Sequence, residues 1–332
     1  MSSVIVSSLG DFLKLIIQSF NLSYTFPALI LVLLTRRYVY PAVARRLALE
    51  TPKALDDLAS IGVLVVVVVL LSYILDAANR PIIRFFEGYW FRDQWPFNRL
   101  RRKKQEYVRE TWDSIRKLED RIGELIEQGN NEERSKEERE DLLGQARRLL
   151  IRKRALISAV SDKYPRNPQY VLSSPFGNVI AAAEQYPQEV LGMDSKVLWP
   201  FLLPTLMKSD YSQVIVREKG VRDFCVNLTL VLIAFGLILG LTEWWVSGIT
   251  RNLVIGLAII SVCCVGSFYL SIQGAAGWGA AVKAAFVIFR AEIRQTLHLR
   301  KPTGYRDERE VWRHASHLFR GQGLSKDRDA WG

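Results

Sequence analysis

The chain has 332 residues, a formal net charge of +11 and 49% apolar residues. An apolar share near half is ordinary for a soluble protein and hides the fact that the apolar residues are gathered into long blocks near both ends. The three cysteines, Cys225, Cys263 and Cys264, all lie inside those blocks, so there is no disulfide framework and no CxxC metal site. With no base-reading module in the chain, the excess positive charge is assigned to membrane topology and not to a nucleic-acid partner.

Residues 1–20 place Ile5, Leu9, Phe12, Leu13, Ile16, Ile17 and Phe20 at helical spacing around Asp11 and Lys14. This predicts an amphipathic helix lying along a membrane surface, with a helix packed against other spans as the alternative. No basic stretch followed by a small-residue cleavage site precedes it, so a removable signal peptide is not expected. Residues 21–78 hold two expected crossings, Phe20 to Leu34 and Leu58 to Leu75. A bilayer core of roughly 30 Å needs about 20 apolar residues at 1.5 Å each, which the second stretch approaches and the first reaches only with help from its neighbours. A non-spanning hairpin is the alternative for the first. The loop between them carries Arg36, Arg37, Arg45, Arg46 and Lys53, which sits uneasily with an outer loop.

Residues 79–162 form a charged insert. Val108, Thr111, Ile115, Leu118, Ile122 and Leu125 alternate spacings of three and four, the seam of a coiled coil. After the Gly129-Asn130-Asn131 turn, Leu142, Ala146, Leu149, Leu156 and Val160 continue the rhythm, which predicts an antiparallel hairpin. Arg99, Arg101, Arg102, Lys103 and Lys104 are expected to form a basic, lipid-facing base joined by Arg152, Lys153 and Arg154, while an acidic far end from Glu119 to Asp141 points away from anionic lipid. A solvated helix pair without fixed orientation is the bland reading.

In residues 163–222 six prolines from Pro165 to Pro204 break the pattern. Ser174 to Pro187 reads SPFGNVIAAAEQYP, and Gly192 to Pro200 reads GMDSKVLWP. This pairing resembles a segment of uncharacterised bacterial multi-pass membrane proteins, in which a G-N, a short helix with A-A-E, a G-x-D and a W-P-R-L follow one another. The resemblance covers about a tenth of the chain. It implies a bacterial membrane protein with spans on both sides of a cytosolic insert, and it brings no activity with it. Phe201 stands where the pattern has Arg. Asn178, Glu184, Asp194 and Trp199 are the candidate pocket residues of this segment, their alternative roles being turn, cap and packing contacts.

Residues 223–275 hold the third and fourth crossings, Phe224 to Val246 and Leu253 to Ile272. Gly236, Gly240, Gly256 and Gly266 are expected at close helix contacts, within or between chains. Asp76, Asp223 and Glu243 fall at span ends, where water and headgroups are expected to reach them, so a proton pathway is not expected. Residues 276–320 continue as cytosolic helix, and 321–332 as a polar, disordered tail. His314 and His317 lie three apart without a third ligand, so neither a metal nor a cofactor is expected.

The expected fold is an all-α integral membrane protein with four transmembrane helices, two on each side of a cytosolic hairpin. The expected role is a non-enzymatic interaction or sensing module of the bacterial inner membrane, with anionic lipids, further copies of itself and a cytosolic protein as partners. An oligomeric channel or membrane-disrupting effector is the alternative, and a membrane enzyme the third reading.

Overall fold

The computed structural model describes residues 22–47, 58–131 and 134–320, and every described element is helical. The expected surface helix at residues 1–20 and the expected tail at 321–332 lie outside these residues. The chain divides into two compact units, residues 1–85 with 216–275, and residues 86–215 with 276–332.

In the first unit, α1 (Leu22–Leu34) does not stop where its apolar run ends. It passes through a π-helical turn, Thr35–Val39, into α2 (Tyr40–Arg46), and the candidate span becomes Leu22–Ala44. Nothing between Thr35 and Val39 breaks a helix, and the wider turn leaves room for Pro41, which has no N–H to give to the ladder. Arg36, Arg37 and Arg46, read from sequence as loop residues, are therefore helical. The stretch from Leu58 forms α3 (Leu58–Ala77) followed by α4 (Asn79–Glu87), which bends away from it by 57°.

α9 (Tyr211–Ser247) and α10 (Arg251–Ile288) are 37 and 38 residues long, so each runs about 55 Å, well past the thickness of a bilayer core. Among the described residues three helices are thus long and apolar enough to cross a membrane, and a fourth crossing results if α3 and α4 are one bent span. Together they mark a membrane protein.

The second unit contains the insert. α5 (Phe97–Gly129) and α6 (Lys136–Ser161) pack antiparallel: Gly129 closes on Leu143, Glu119 pairs with Lys153 at 2.9 Å, and the rings of Tyr107 and Tyr164 lie 5.9 Å apart. Val108, Ile115, Ile122 and Leu125 are buried along the α5 seam, as their spacing requires. α6 starts on a capping box, in which the Ser135 hydroxyl accepts from the Glu138 N–H and the Glu138 carboxylate accepts from the Ser135 N–H.

This register corrects the expected charge sorting. Lys153 stands level with Glu119, whereas Lys104 donates to the Ser173 carbonyl at 2.6 Å. Arg152 to Arg154 therefore lie roughly 20 Å along the arm from Lys104 and do not join the base. The turn falls between Gly129 and Ser135 instead of on Gly129, so the start of α5 stands opposite residues that follow α6.

The rest of this unit is a core of α7 (Pro175–Leu191), α8 (Ser195–Met207), α11 (Arg290–Thr296), α12 (Tyr305–Phe319) and the end of α10. Trp312, Phe286, Leu198, Leu202 and Ile293 are fully buried in it. Gly192 ends α7 with φ of 79°, the left-handed cap that a side chain disfavours. Gly177 lets the α7 backbone meet the α4 terminus, because a β-carbon there would lie 2.2 Å from the Glu87 carbonyl oxygen.

Gly177→Ala is accordingly expected to cost about 1–3 kcal/mol. Gly123→Ala, in α5 with open space around it, is expected to be neutral or to stabilise by up to about 1 kcal/mol. Thermal melts of the two variants in one detergent check both values; equal melting temperatures would contradict the close approach at Gly177.

Candidate functional site

The first unit holds a buried charged joint. α9 enters its apolar stretch just after Asp223, whose side chain is fully buried. Its Oδ1 accepts from Arg222, with Nε at 2.9 Å and a second guanidinium nitrogen at 2.8 Å. Its Oδ2 accepts from the Lys219 ammonium at 2.8 Å, the Tyr24 hydroxyl at 3.1 Å and the Asn79 amide at 3.1 Å. α1, α4 and α9 thus meet on one carboxylate. One turn further, the Asn227 amide donates to the Ser23 carbonyl at 3.3 Å, and the Ser23 hydroxyl donates to the Gly220 carbonyl at 2.9 Å.

This overturns the expectation that water and headgroups reach Asp223. Protein donors surround it, and with both oxygens occupied it holds helices together instead of offering a base. Lys219 at i−4 was legible as a partner. Tyr24 and Asn79 were not, because they come from helices far away in sequence.

Small residues bring α9 and α10 together. A β-carbon on Gly236 would lie 3.2 Å from Ile260, and one on Gly240 3.9 Å from Leu257. The Thr229 and Ser267 hydroxyls are 2.5 Å apart, and Ser267 also donates to the Cys225 carbonyl. Gly256 and Gly266 face open space instead. A contact absent from the sequence reading is Gly274, where a β-carbon would lie 2.9 Å from the Arg222 α-carbon, beside the charged joint.

In the second unit the four candidate pocket residues do not converge. Asn178 is fully buried, and its amide brackets Leu172, accepting from the N–H at 2.6 Å and donating to the carbonyl at 3.0 Å. Asp194 caps α8, accepting from the Lys196 and Val197 N–H groups at 2.9 and 3.3 Å, and it pairs with Arg320. Glu184 pairs with Lys196 at 3.2 Å. Trp199 packs with its ring 6.1 Å from Phe286. Phe201, which stands in place of Arg, lies with its ring 4.7 Å from the Phe319 ring.

Of the five basic residues at the start of α5, Arg99, Arg102 and Lys103 are exposed. Arg101 turns back to Asp93 at 3.3 Å, and burial lowers the Lys104 pKa. His314 Nδ1 lies 2.9 Å from the Glu310 carbonyl, and no group of three or more metal-ligating side chains forms among the described residues.

A cavity of about 330 Å³ opens where Gln188, Glu189 and Asp194 face Arg313, His317 and Arg320 of the α12 end. Sequence reading missed it, since it needs the α7 and α12 ends brought together. One Glu189 carboxylate oxygen is buried there without a hydrogen-bond partner. Burial pushes the Glu189 carboxyl above its ordinary range, against the opposing pull of Arg166 and the backbone N–H groups of Arg166 and Asn167. Comparison of the chain with protein families, curated proteins and solved structures finds no match.

Two outcomes follow. Removing the Asp223 carboxylate takes away the acceptor shared by Arg222, Lys219, Tyr24 and Asn79, so Asp223→Ala is expected to destabilise by about 3 kcal/mol or more, and Tyr24→Phe by about 1 kcal/mol, in detergent melts. For Glu189 the sign is reversed. A carboxyl with a raised folded pKa favours folding below its ordinary value of 4.5 and loses that contribution as pH rises through the folded pKa. Glu189→Gln should therefore raise the melting temperature at pH 7 to 8 and change it little near pH 4.

Proposed function

We propose that this chain is a membrane-anchored interaction module of the bacterial inner membrane, in which the α5–α6 hairpin docks a cytosolic protein and the helices of the first unit hold it to the bilayer. The observation that carries the reading is the hairpin itself. Its two arms pack over an apolar seam and carry charge over much of the remaining surface, with Tyr107, Ile126 and Ile151 exposed among it, which suits a reach into solvent and a protein partner more than catalysis. Its heptad spacing is that of a short antiparallel coiled coil.

Four crossings, with α3 and α4 counted as one bent span, keep the insert and the C-terminal region on one side. Arg92, Arg217, Lys219 and Arg222 near the ends of the apolar stretches favour the cytoplasm for that side. The shift of Arg36, Arg37 and Arg46 from loop to helix weakens the one charge cluster that opposed this orientation. The resemblance of the Ser174–Pro200 segment points to a bacterial source.

Self-association is part of the proposal. In α10, Gly256 and Gly266 meet nothing within 4 Å, and Val262 and Val265 are 73% and 70% exposed. Such a surface suits a second copy of the helix as well as lipid. The same surface favours the oligomeric channel or effector as the second reading.

Replacing residues 105–155 by a short flexible linker tests the hairpin. Cross-linking in intact cells is expected to recover a cytosolic protein with the full chain and not with the deleted one, while both remain in the membrane fraction. Identical cross-linked species from the two chains would end the hairpin reading. Conductance of the purified protein in liposomes, unchanged by the deletion, would favour the channel.

A further inference from the structure

The most exposed large apolar side chain among the described residues lies outside every candidate span. It is Trp95, at 81% exposure, in the loop between α4 and α5. Trp90 and Leu100 flank it at 59% and 47%. The loop is braced: the Phe91 and Phe97 rings stack at 5.0 Å, and Asp93 pairs with Arg101 at 3.3 Å. Trp95 is held out by that bracing.

Charge beside the loop is arranged at a cost. A helix N-terminus carries partial positive charge and is stabilised by acidic residues. α5 has none in its first turn and no side-chain cap. Its first two turns hold Arg99, Arg102 and Lys103 instead, all exposed and without an ion pair among the described residues. Cations placed where the helix dipole opposes them, next to an unburied indole, indicate an anionic surface with an apolar layer behind it.

We propose that Trp90, Trp95 and Leu100 insert into the headgroup region of an anionic bilayer, with Arg99, Arg102 and Lys103 on its phosphates. Tryptophan favours that depth because its ring is apolar and its N–H is polar, and each basic residue near an anionic leaflet strengthens binding about fivefold. The chain supplies continuity, since the loop follows directly on Glu87, the end of the bent pair of α3 and α4 that is counted as the fourth crossing. The proposal rests on the membrane reading above, including its expected anionic lipid and basic base, and adds the side chains that enter the headgroup region. It makes lipid composition a control on how the base of the hairpin is held.

The test uses the full chain with Cys225, Cys263 and Cys264 replaced by alanine and one new cysteine carrying an environment-sensitive fluorophore. Gln94→Cys places the label beside Trp95, and Val66→Cys places a control in the middle of α3. The protein is reconstituted in nanodiscs of phosphatidylcholine, alone or mixed with phosphatidylglycerol, and probed with lipids spin-labelled near the headgroup, for position 94, or near the bilayer centre, for position 66, and with aqueous iodide.

Lipid quenching at position 94 that strengthens with phosphatidylglycerol is the expected result. It should fall severalfold on charge reversal of Arg99, Arg102 and Lys103, or on Trp95→Ser, with position 66 unaffected. Iodide quenching at 94 while 66 stays lipid-quenched would overturn the proposal and leave the membrane reading intact. Protection of 94 from both quenchers would overturn it in favour of a protein contact. Equal lipid quenching with and without phosphatidylglycerol would overturn the anionic requirement. Absence of lipid quenching at both positions would overturn the membrane reading, and this proposal with it.

Discussion

A carboxylate cannot stay charged at the edge of an apolar helix cluster unless its counter-charges are built in, and Asp223 is supplied with all of them. Two cations, a hydroxyl and an amide converge on its two oxygens. Because they come from α1, α4 and α9, neutralising one charge also sets where three helices meet. The apolar stretches contribute burial without direction. The joint contributes direction, since donors at about 3 Å tolerate little rotation or sliding of the helices that carry them.

The same division of labour recurs in the second unit. Trp312, Phe286 and the leucines of α8 supply burial, while Asp194, Asn178 and Ser135 end or begin elements by satisfying particular backbone groups. Three of the four candidate pocket residues are polar, yet each is already occupied by its own neighbourhood. The cavity near Glu189 differs in having a buried carboxylate oxygen left over.

Local physics was the part visible in the amino-acid order. Heptad spacing from Val108 to Leu125, the Gly129 turn, the Asp194 cap and the apolar stretch within α9 each depend on neighbours a few residues away, and each stands where its pattern put it. Range was the limit for the rest. The partners of Asp223 lie far off in the chain, so its burial could not be inferred from a position at the end of an apolar run. The end of α1 was not legible, because a run of apolar residues ends at Leu34 while the hydrogen-bond ladder does not. Charge along the hairpin was misplaced because it needs the register of two arms, and a pattern within one arm carries no register. The cavity failed for the same reason, being assembled from helix ends that only tertiary packing brings together.

The antiparallel register of α5 and α6 also decides where the hairpin can vary in length. An added residue within either arm would rotate every following side chain by about 100° and carry the buried seam out into water. Residues added between Gly129 and Ser135 would lengthen only the tip, leaving Glu119 opposite Lys153 and the seam closed. The arm is built so that its far end tolerates change in size and charge while its shaft does not.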